Sequence, residues 1–271
     1  MPEGPEIHRQ ADRLQRVLAG EIAQAVFFAF PHLRVRGERL PGLRITSVSA
    51  RGKAILTAFE DGTVVYSHNQ LYGRWLVRRL GTEIRTNRQL RFAVETDRHQ
   101  ARLYSASSIE LLNGDVNTHP YLSKLGPDPL GEGVTKVMIH DHITNPRFAR
   151  RRLDGLLLDQ GFVGGIGNYL RSEILFYAGL HHGRSPQNLD PKEAHRLSGA
   201  IHEMMFRSYG TGGLTNDPES VRARKADGAL RKDYRHYVFG RAGRPCPRCC
   251  RSIERIEATG RRLYFCPACQ T

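Results

Sequence analysis

The sequence contains no run of 18 or more uninterrupted apolar residues, so it offers no segment that could span a membrane. It also lacks an apolar secretory leader, because residues 1–6 include two glutamates and no apolar stretch. We therefore expect a cytosolic protein. Internal repeats and low-complexity tracts are absent, and 39% of the 271 residues are hydrophobic. This composition excludes a wholly disordered chain and favours one large or two ordinary folded domains.

Acidic residues are few relative to basic ones. Lys and Arg number 41 and Asp and Glu 27, which gives a formal net charge of +14. Much of the excess lies at one end, where residues 221–271 hold 13 Lys or Arg and four acidic residues. Such a charge balance is typical of proteins with a polyanionic partner. Because the excess charge is concentrated at one end, we favour a protein that binds nucleic acid over a protein that is basic without such a partner.

Cysteine is absent from the first 245 residues. Four of the five cysteines form two C-x-x-C pairs separated by 16 residues, namely Cys246, Cys249, Cys266 and Cys269. Two such pairs place four thiolates on two hairpin knuckles, which favours tetrahedral zinc over disulfides in a cytosolic protein. Cys250 either lies beside the site without binding the metal, or it serves as a ligand because the cysteine pairing is shifted by one residue. A four-thiolate site has no open coordination position, so we expect one structural zinc ion.

The hydrophobic pattern predicts an α+β protein. Residues 5–18 have apolar positions at helical spacing, and Gly20 follows them. Residues 22–112 contain short β-prone runs separated by turn residues. One helix followed by several short strands indicates an N-terminal β-sandwich with a flanking helix.

The second half of the chain has a helical pattern. It begins after a linker at residues 127–129, and the predicted helices cover residues 148–161, 168–178 and 191–209. We expect residues 210–235, which are rich in glycine and charge, to form a mobile loop. The expected domains are a sandwich domain, a helical domain and a zinc finger, with bounds 1–126, 127–240 and 241–271.

Pro2 follows the initiator Met, and removal of that Met would expose a secondary amine as the chain terminus. An α-amino group has a pKa of roughly 7.7–8.0, so part of it is unprotonated near neutral pH. Such an amine attacks an aldehyde-level carbon to give an iminium ion, and Glu3 beside it could act as acid or base. Without further evidence, Pro2 and Glu3 are also compatible with an ordinary segment that precedes the first helix and has no catalytic role.

A glycine-rich segment, residues 161–169, separates two predicted helices. It matches neither G-x-G-x-x-G nor G-x-x-x-x-G-K-[ST], which argues against a nucleotide-cofactor loop. Its backbone N–H groups at a helix N-terminus predict an anion site, and DNA phosphate is the anion expected in a basic chain. The alternative is a tight turn between two helices.

Four motifs occur together and in order: Pro-Glu-Gly-Pro-Glu at 2–6, Arg-Gly-Lys at 51–53, Gly-Gly-Ile-Gly-Asn-Tyr at 164–169, and the four-cysteine ribbon. In this combination the whole chain resembles the formamidopyrimidine-DNA glycosylase/endonuclease VIII family of base-excision repair enzymes. Residues 66–73 and 103–107 resemble the endonuclease VIII branch. The resemblance implies a helix–two-turn–helix domain between the sandwich and the zinc hairpin, and a monomer that binds double-stranded DNA containing oxidised bases or abasic sites.

The resemblance also implies a bifunctional enzyme, a DNA glycosylase and abasic-site lyase. It would remove oxidised pyrimidines and cleave the strand by β,δ-elimination without an organic cofactor. Pro2 would attack C1′ of the damaged nucleotide, and Glu3 would protonate the sugar ring oxygen. Lys53 would assist elimination and contact phosphate, although a lone lysine by itself is more typical of a solvated surface charge. Arg261 would bind phosphate and act in δ-elimination, and its neighbour Arg262 makes that assignment ambiguous.

Other positions would contact DNA. Asn168 and Lys124 would bind phosphate, although the branch usually has arginine at the position of Lys124; lysine keeps the charge but loses the bidentate fork. Gln70, Leu71 and Tyr72 would fill the gap left by a flipped nucleotide. Without the resemblance, those three residues indicate an ordinary turn whose apolar and aromatic side chains pack on the core.

Glu6 and Glu173 match further acids of the family, which orient the site. Two rival functions stay open. One is the branch that removes 8-oxoguanine and formamidopyrimidine, against which the Gln70–Leu71–Tyr72 triplet argues. The other is a non-catalytic zinc-ribbon DNA-binding protein, which would leave the set of catalytic residues as a coincidence.

Overall fold

The computed structural model describes residues 2–271, and the chain forms two compact units. Unit 1 comprises Pro2 and Ile7–Lys124, and unit 2 comprises Glu3–Glu6 and Leu125–Thr271. The predicted α+β class is confirmed, whereas the division into three parts at 126 and 240 stays a prediction. Within the described range, no helix is long and apolar enough to cross a bilayer.

Unit 1 contains two helices and eight strands. The helices are α1 (Gly4–Leu18, whose first three residues group with unit 2) and α2 (Pro31–Gly37). The strands are β1 (Ala25–Phe28), β2 (Ile45–Arg51), β3 (Ala54–Phe59), β4 (Val64–His68), β5 (Arg74–Arg79), β6 (Leu90–Glu95), β7 (His99–Tyr104) and β8 (Ser108–Leu112).

The strands of unit 1 form two antiparallel four-stranded sheets that share one apolar core. The strand orders are β1-β6-β7-β5 and β2-β3-β4-β8. Both sheets and the apolar face of α1 contribute to the core, including Ile7 and Leu14 from α1. Side chains alternate along β5, where Trp75 and Val77 are buried and Arg78 is exposed. The predicted sandwich with a flanking helix is therefore confirmed.

Unit 2 is mainly helical and ends in a β-hairpin. Its helices are α3 (Lys136–Ile143), α4 (Leu153–Leu156), α5 (Asn168–Ala178), α6 (Pro191–Thr211), α7 (Pro218–Ala226) and α8 (Arg231–Tyr234), and its strands are β9 (Glu254–Ala258) and β10 (Arg261–Phe265). Helix α5 lies at the centre, because nine of its 11 residues are buried. The asparagine that begins α5 and the hairpin strands are therefore attached to the apolar core of this unit.

Two sequence expectations for unit 2 are wrong. Residues 210–235 contain α7 and α8, because the Asp217 carboxylate caps the N–H of Ser220 at 2.9 Å and Pro218 occupies the first helical turn. The helix expected over 148–161 shortens to the single turn α4. It ends before Gly161, whose N–H donates to the Asp159 carboxylate at 2.8 Å.

Candidate functional site

The carboxylate of Glu3 lies at the N-terminus of α5. Its oxygens accept hydrogen bonds from the backbone N–H groups of Gly167 (2.8 Å), Tyr169 (2.8 Å) and Leu170 (3.2 Å). N–H groups in the first turn of a helix have no intrahelical partners, and the helix dipole stabilises a negative charge there. Glu3 is only 2% exposed. It is therefore held in one position, directly after the half-buried Pro2.

Glycines allow this close approach of the N-terminal segment to the loop before α5. A Cβ at Gly167 would lie 2.4 Å from the carboxylate carbon of Glu3, and a Cβ at Gly4 would lie 2.8 Å from the Cα of Gly165. The Gly4 N–H also donates to the Gly165 carbonyl at 2.8 Å. The expectation that these amides face a DNA phosphate is wrong for the three that bind Glu3, because its carboxylate supplies the anion.

Glu6 links α1 to Tyr169 and Arg235. The Tyr169 hydroxyl lies 3.0 and 3.1 Å from the two carboxylate oxygens of Glu6, and 2.7 Å from the Ser208 hydroxyl. The Arg235 guanidinium lies 3.5 Å from Glu6. Burial, and then the charges of Glu6 and Glu3, raise the pKa of Tyr169, so its phenol stays protonated and donates. Glu6 also accepts from the Glu3 N–H at 3.0 Å, which orients the chain at the candidate nucleophile.

Arg171, which the sequence analysis did not single out, joins the element that carries Asn168 to the hairpin that carries Arg261. Its fully buried guanidinium donates to Asn168 Oδ1 at 2.8 Å. It also donates to the Thr259 hydroxyl and to the carbonyls of Asp154, Ala258, Arg261 and Arg262, at 3.1 to 3.4 Å. Burial lowers the pKa of Arg171 to about 10, which leaves it cationic at neutral pH. Its position one helical turn after Asn168 was the only signal in the sequence.

This network brings two of the predicted phosphate-binding positions together in unit 2. Asn168 Oδ1 accepts from Arg171, so the amide nitrogen of Asn168 is the end that can donate to a phosphate oxygen. Arg261 and Arg262 begin β10 and are both exposed. Neighbouring side chains on a strand point to opposite faces, so the two arginines cannot serve the same phosphate equally.

Glu173 lies inside unit 2 and is fully buried. Its carboxylate accepts from the N–H groups of Tyr237 (2.8 Å), Val238 (2.9 Å) and Phe239 (2.9 Å), and from the Thr215 hydroxyl. Burial raises the pKa of Glu173, and these hydrogen bonds act in the opposite direction. Glu173 therefore ties α5 to the segment that leads into the cysteine hairpin, which is a positioning role.

The four paired cysteines form one cluster whose Sγ atoms all lie within 4.8 Å of one another. Sγ of Cys246 is 3.9 Å from Cys269, and Sγ of Cys249 is 3.5 Å from Cys266. A tetrahedral metal with thiolates at about 2.3 Å separates the sulfur atoms by roughly 3.8 Å, so the cluster fits a metal ion. Cys250 is exposed and lies outside the cluster, which excludes the shifted pairing.

Lys53 lies in the turn between β2 and β3 of unit 1 and is only 7% exposed. The alternative interpretation of Lys53 as a solvated surface charge is therefore wrong. Its backbone N–H donates to the Tyr121 hydroxyl at 2.8 Å. Burial, and then the positive charge of Lys53, lower the pKa of His68 to about 4. The neutral His68 ring accepts a hydrogen bond at Nδ1 from the N–H of Gln70, at 3.0 Å. Lys53 thus lies close to the end of β4.

Residues 69–73, which we call the wedge loop, connect β4 of one sheet to β5 of the other. Leu71 is 62% exposed and Tyr72 is 70% exposed, so neither packs on the core as an ordinary turn would require. The Gln70 side chain bonds to the Ser107 hydroxyl. A Cβ at Gly73 would lie 2.4 Å from the Asn69 carbonyl oxygen, so the turn requires glycine there. The wedge loop therefore presents an apolar and an aromatic side chain to solvent from an anchored backbone.

Lys124 is exposed at the last position of unit 1, where it ends the turn that contains Leu122. The predicted site residues thus fall into two groups. Glu3, Asn168 and Arg261 are assembled around the start of α5 in unit 2. Lys53 and the wedge loop lie around the end of β4 in unit 1.

Comparisons with known proteins agree with this arrangement. The formamidopyrimidine-DNA glycosylase N-terminal domain matches residues 1–107, and the formamidopyrimidine-DNA glycosylase H2TH domain matches residues 125–218. The chain is 42% identical over 271 residues to endonuclease 8 of Shigella sonnei (strain Ss046) and to endonuclease 8 of the Crooks strain of Escherichia coli. Each of these matches covers 100% of both sequences.

The fold is similar to solved structures of Lactococcus lactis Fpg. A complex with DNA containing an abasic site has a TM-score of 0.80 at 23% identity, with 99% of both chains covered. A complex with FAPY-dG-containing DNA has a TM-score of 0.79 at 22% identity, with 98% of this chain and 99% of that chain covered. The chain belongs to the formamidopyrimidine-DNA glycosylase/endonuclease VIII family, whose members are DNA glycosylases with abasic-site lyase activity.

Proposed function

We propose that this chain removes oxidised pyrimidines from double-stranded DNA and then cleaves the strand at the abasic site by β,δ-elimination. The observation that carries the proposal is the placement of Glu3, which three amides of α5 fix directly after Pro2. The endonuclease 8 relatives, which are bacterial and match over the full length, support the choice of branch. We place the enzyme in the bacterial cytosol, acting as a monomer.

The first chemical step is attack of the Pro2 nitrogen on C1′ of the damaged nucleotide. The new N–C1′ bond forms as the bond from C1′ to the base breaks, and the base leaves with that electron pair and takes up a proton. Glu3, which the amides at the start of α5 hold as a carboxylate, takes the N–H proton of the attached Pro2 nitrogen and passes it to O4′ as the sugar ring opens at C1′–O4′. The product is an iminium ion, which a secondary amine forms without losing a further proton. A carboxylate one residue away stabilises this cation electrostatically.

The iminium ion serves as the electron sink for strand cleavage. Loss of a proton from C2′ expels the 3′ phosphate, and a second elimination expels the 5′ phosphate. Lys53 and Arg261 are the cations assigned to these steps, in which negative charge develops on the departing phosphates. Water then hydrolyses the iminium ion, which releases the Pro2 amine and leaves the remaining sugar fragment as an aldehyde. No organic cofactor is required by these steps.

Two sets of residues are proposed to bind DNA: a phosphate track, whose residues contact the backbone, and the wedge loop, which inserts into the base stack. Lys53, Lys124, Asn168 and Arg261 are the proposed phosphate ligands. C1′ is inaccessible while the damaged base is stacked, so the nucleotide must leave the helix. The exposure of Leu71 supports its insertion into the resulting gap, with Tyr72 and Gln70 beside it.

The metal in the four-cysteine cluster is proposed to be zinc. Cys246, Cys249, Cys266 and Cys269 would hold it, and four thiolates leave no position for a catalytic water. When bound, zinc supplies folding free energy to the hairpin. The hairpin in turn carries Arg261, which Arg171 joins to Asn168.

A panel of lesions tests the proposed substrate class. Duplexes carrying thymine glycol, dihydrouracil, 8-oxoguanine or an abasic site would be compared under single-turnover conditions. We expect excision of both oxidised pyrimidines and cleavage of the abasic site, with products ending in phosphate on both sides. Preferred excision of 8-oxoguanine would assign the chain to the purine branch. Binding without cleavage of any duplex would show a non-catalytic protein.

A further inference from the structure

The strongest unassigned feature is a cluster of exposed arginines that begins at the wedge loop. Residues 74–102 contain eight arginines and three acidic residues. Four of these arginines line one groove between the edge strand β5 and the segment that follows it, namely Arg74, Arg78, Arg85 and Arg88. We call these four residues the arginine groove. None of them belongs to the phosphate track proposed above.

The groove has the charge and spacing of a phosphate-binding surface. Arg74 and Arg78 point to the same side of β5, because residues two and four apart on a strand share a face. Four residues of strand span about 13 Å, which equals the rise of roughly four nucleotides along one strand of duplex DNA. Glu83 is the acidic residue in the groove, and it pairs only with Arg85, at 3.0 Å. No ion pair involves Arg74, Arg78 or Arg88 within residues 2–271.

The arginine groove is attached to the wedge loop. The Arg88 guanidinium donates to the carbonyl of Tyr72 at 2.7 Å, and Arg74 directly follows Gly73, the last residue of that loop. Both Tyr72 and Arg88 are exposed. Phosphates that flank an inserted Leu71 would therefore lie within reach of the first arginines of the groove.

The topology of unit 1 indicates which strand these phosphates belong to. The wedge loop crosses from one sheet to the other. Lys53, assigned to the damaged strand, lies at the β2–β3 turn of the first sheet, whereas the arginine groove lies along β5 of the second. A side chain inserted into a duplex has one strand on each side of it. We propose that the arginine groove binds the backbone phosphates of the undamaged strand next to the wedge; this inference rests on the proposed function.

The test removes two arginines, Arg78 and Arg85, whose side-chain hydrogen bonds go to Val77 and Glu83 and not to the wedge loop. The double variant Arg78→Ala/Arg85→Ala would be compared with Arg36→Ala/Arg39→Ala, which removes the same charge from exposed positions elsewhere in unit 1. We expect the first variant to bind lesion duplex roughly tenfold more weakly at low salt, with a salt slope smaller by about two. The control pair should bind as the wild type does. Equal losses in both variants, or no loss in either, would overturn the proposal.

Neutral methylphosphonates identify the strand. Placed in the undamaged strand beside the lesion, they should weaken the wild type but cause no further loss in Arg78→Ala/Arg85→Ala. Placed in the damaged strand, they should weaken both proteins equally. The reverse pattern would assign the groove to the damaged strand and contradict the inference. Glu83→Gln, which releases Arg85, should strengthen duplex binding roughly threefold, and weaker binding would count against the groove.

Covalent trapping separates this inference from the proposed function. Wild-type protein and the double variant would be treated with borohydride in the presence of saturating abasic duplex. If both form the adduct while the methylphosphonate pattern fails, only the arginine groove is wrong. If the wild type forms no adduct, the proposed function itself fails.

Discussion

Glu3 and Glu173 are two buried carboxylates that the chain holds in the same manner. Each accepts three backbone N–H hydrogen bonds, Glu3 from the start of α5 and Glu173 from residues 237–239. They differ in what lies next to them. Glu3 follows the half-buried Pro2, whereas Glu173 is enclosed by the core of unit 2. The hydrogen bonds alone therefore do not distinguish the two carboxylates. Their surroundings do, because only Glu3 lies next to the proposed nucleophile.

The same contrast extends to the rest of the site. Pro2, Glu3, Lys53 and Arg261 are assigned to chemistry, whereas Glu173, Arg171 and the cysteine cluster hold α5 and the hairpin of unit 2 in place. A buried donor left without an acceptor costs about 1–3 kcal/mol, so removal of a holding residue should appear first as lost stability. Removal of a reacting residue should slow the reaction per folded molecule, whatever it does to stability.

The largest effect is expected at the cysteine cluster. Cys249→Ser should release the metal and unfold the hairpin, because structural zinc contributes about 10–16 kcal/mol of apparent binding free energy in zinc-finger peptides. Activity would be lost through displacement of Arg261. Cys250→Ser, one residue away and outside the cluster, is the matched control and should keep one zinc per chain and full activity. Full activity of metal-free protein would refute the structural role.

The paired substitutions Glu3→Gln and Glu173→Gln test the comparison itself. Glutamine keeps the size and one acceptor but cannot give a proton as a carboxylic acid does. Glu3→Gln also leaves a buried N–H without an acceptor and should lower the free energy of unfolding by about 1–3 kcal/mol, but in addition it should slow base excision per folded molecule by about 10²- to 10⁴-fold. Glu173→Gln should lower the free energy of unfolding by about 1–3 kcal/mol and leave the rate per folded molecule near that of the wild type. Single-turnover excision and thermal melts would measure both, and exchanged outcomes would reverse the two roles.

Leu71→Ala should have a smaller effect that depends on the substrate. Loss of the wedge should slow excision of a paired lesion, because unstacking costs a few kcal/mol that the wedge partly offsets. Excision from single-stranded DNA should be spared, since no stack is broken there. Val35→Ala removes another exposed apolar side chain of unit 1 and should change neither rate. Equal losses on both substrates would mean that Leu71 does not act as a wedge.

Lys124→Ala should have the smallest effect. If Lys124 contacts one phosphate, its loss should weaken binding to damaged and undamaged duplex alike and reduce the salt slope by about one. Lys192→Ala, an exposed lysine outside the proposed track, provides the control for charge alone. A loss confined to one lesion type would show that Lys124 reads the base.

Much of this fold was predictable from local patterns. The amphipathic spacing of α1 and the paired cysteines each specify their structure within a short segment. The partner of the glycine-rich loop was not predictable from the residues alone, because the anion comes from Glu3, more than 160 positions earlier. Arg171 was missed because a single arginine in a helix gives no sign that it will be buried among carbonyls. The burial of Lys53 likewise depends on contacts distant in sequence.

The central claim is that Pro2 is the nucleophile, and borohydride trapping tests it most directly. Enzyme incubated with an abasic duplex and reduced by borohydride should give a covalent adduct whose DNA maps to the N-terminal peptide. Pro2→Gly should weaken the chemistry while DNA affinity stays close to that of the wild type, because the substitution barely changes the charge. An adduct that maps only to the peptide containing Lys53 would contradict the account.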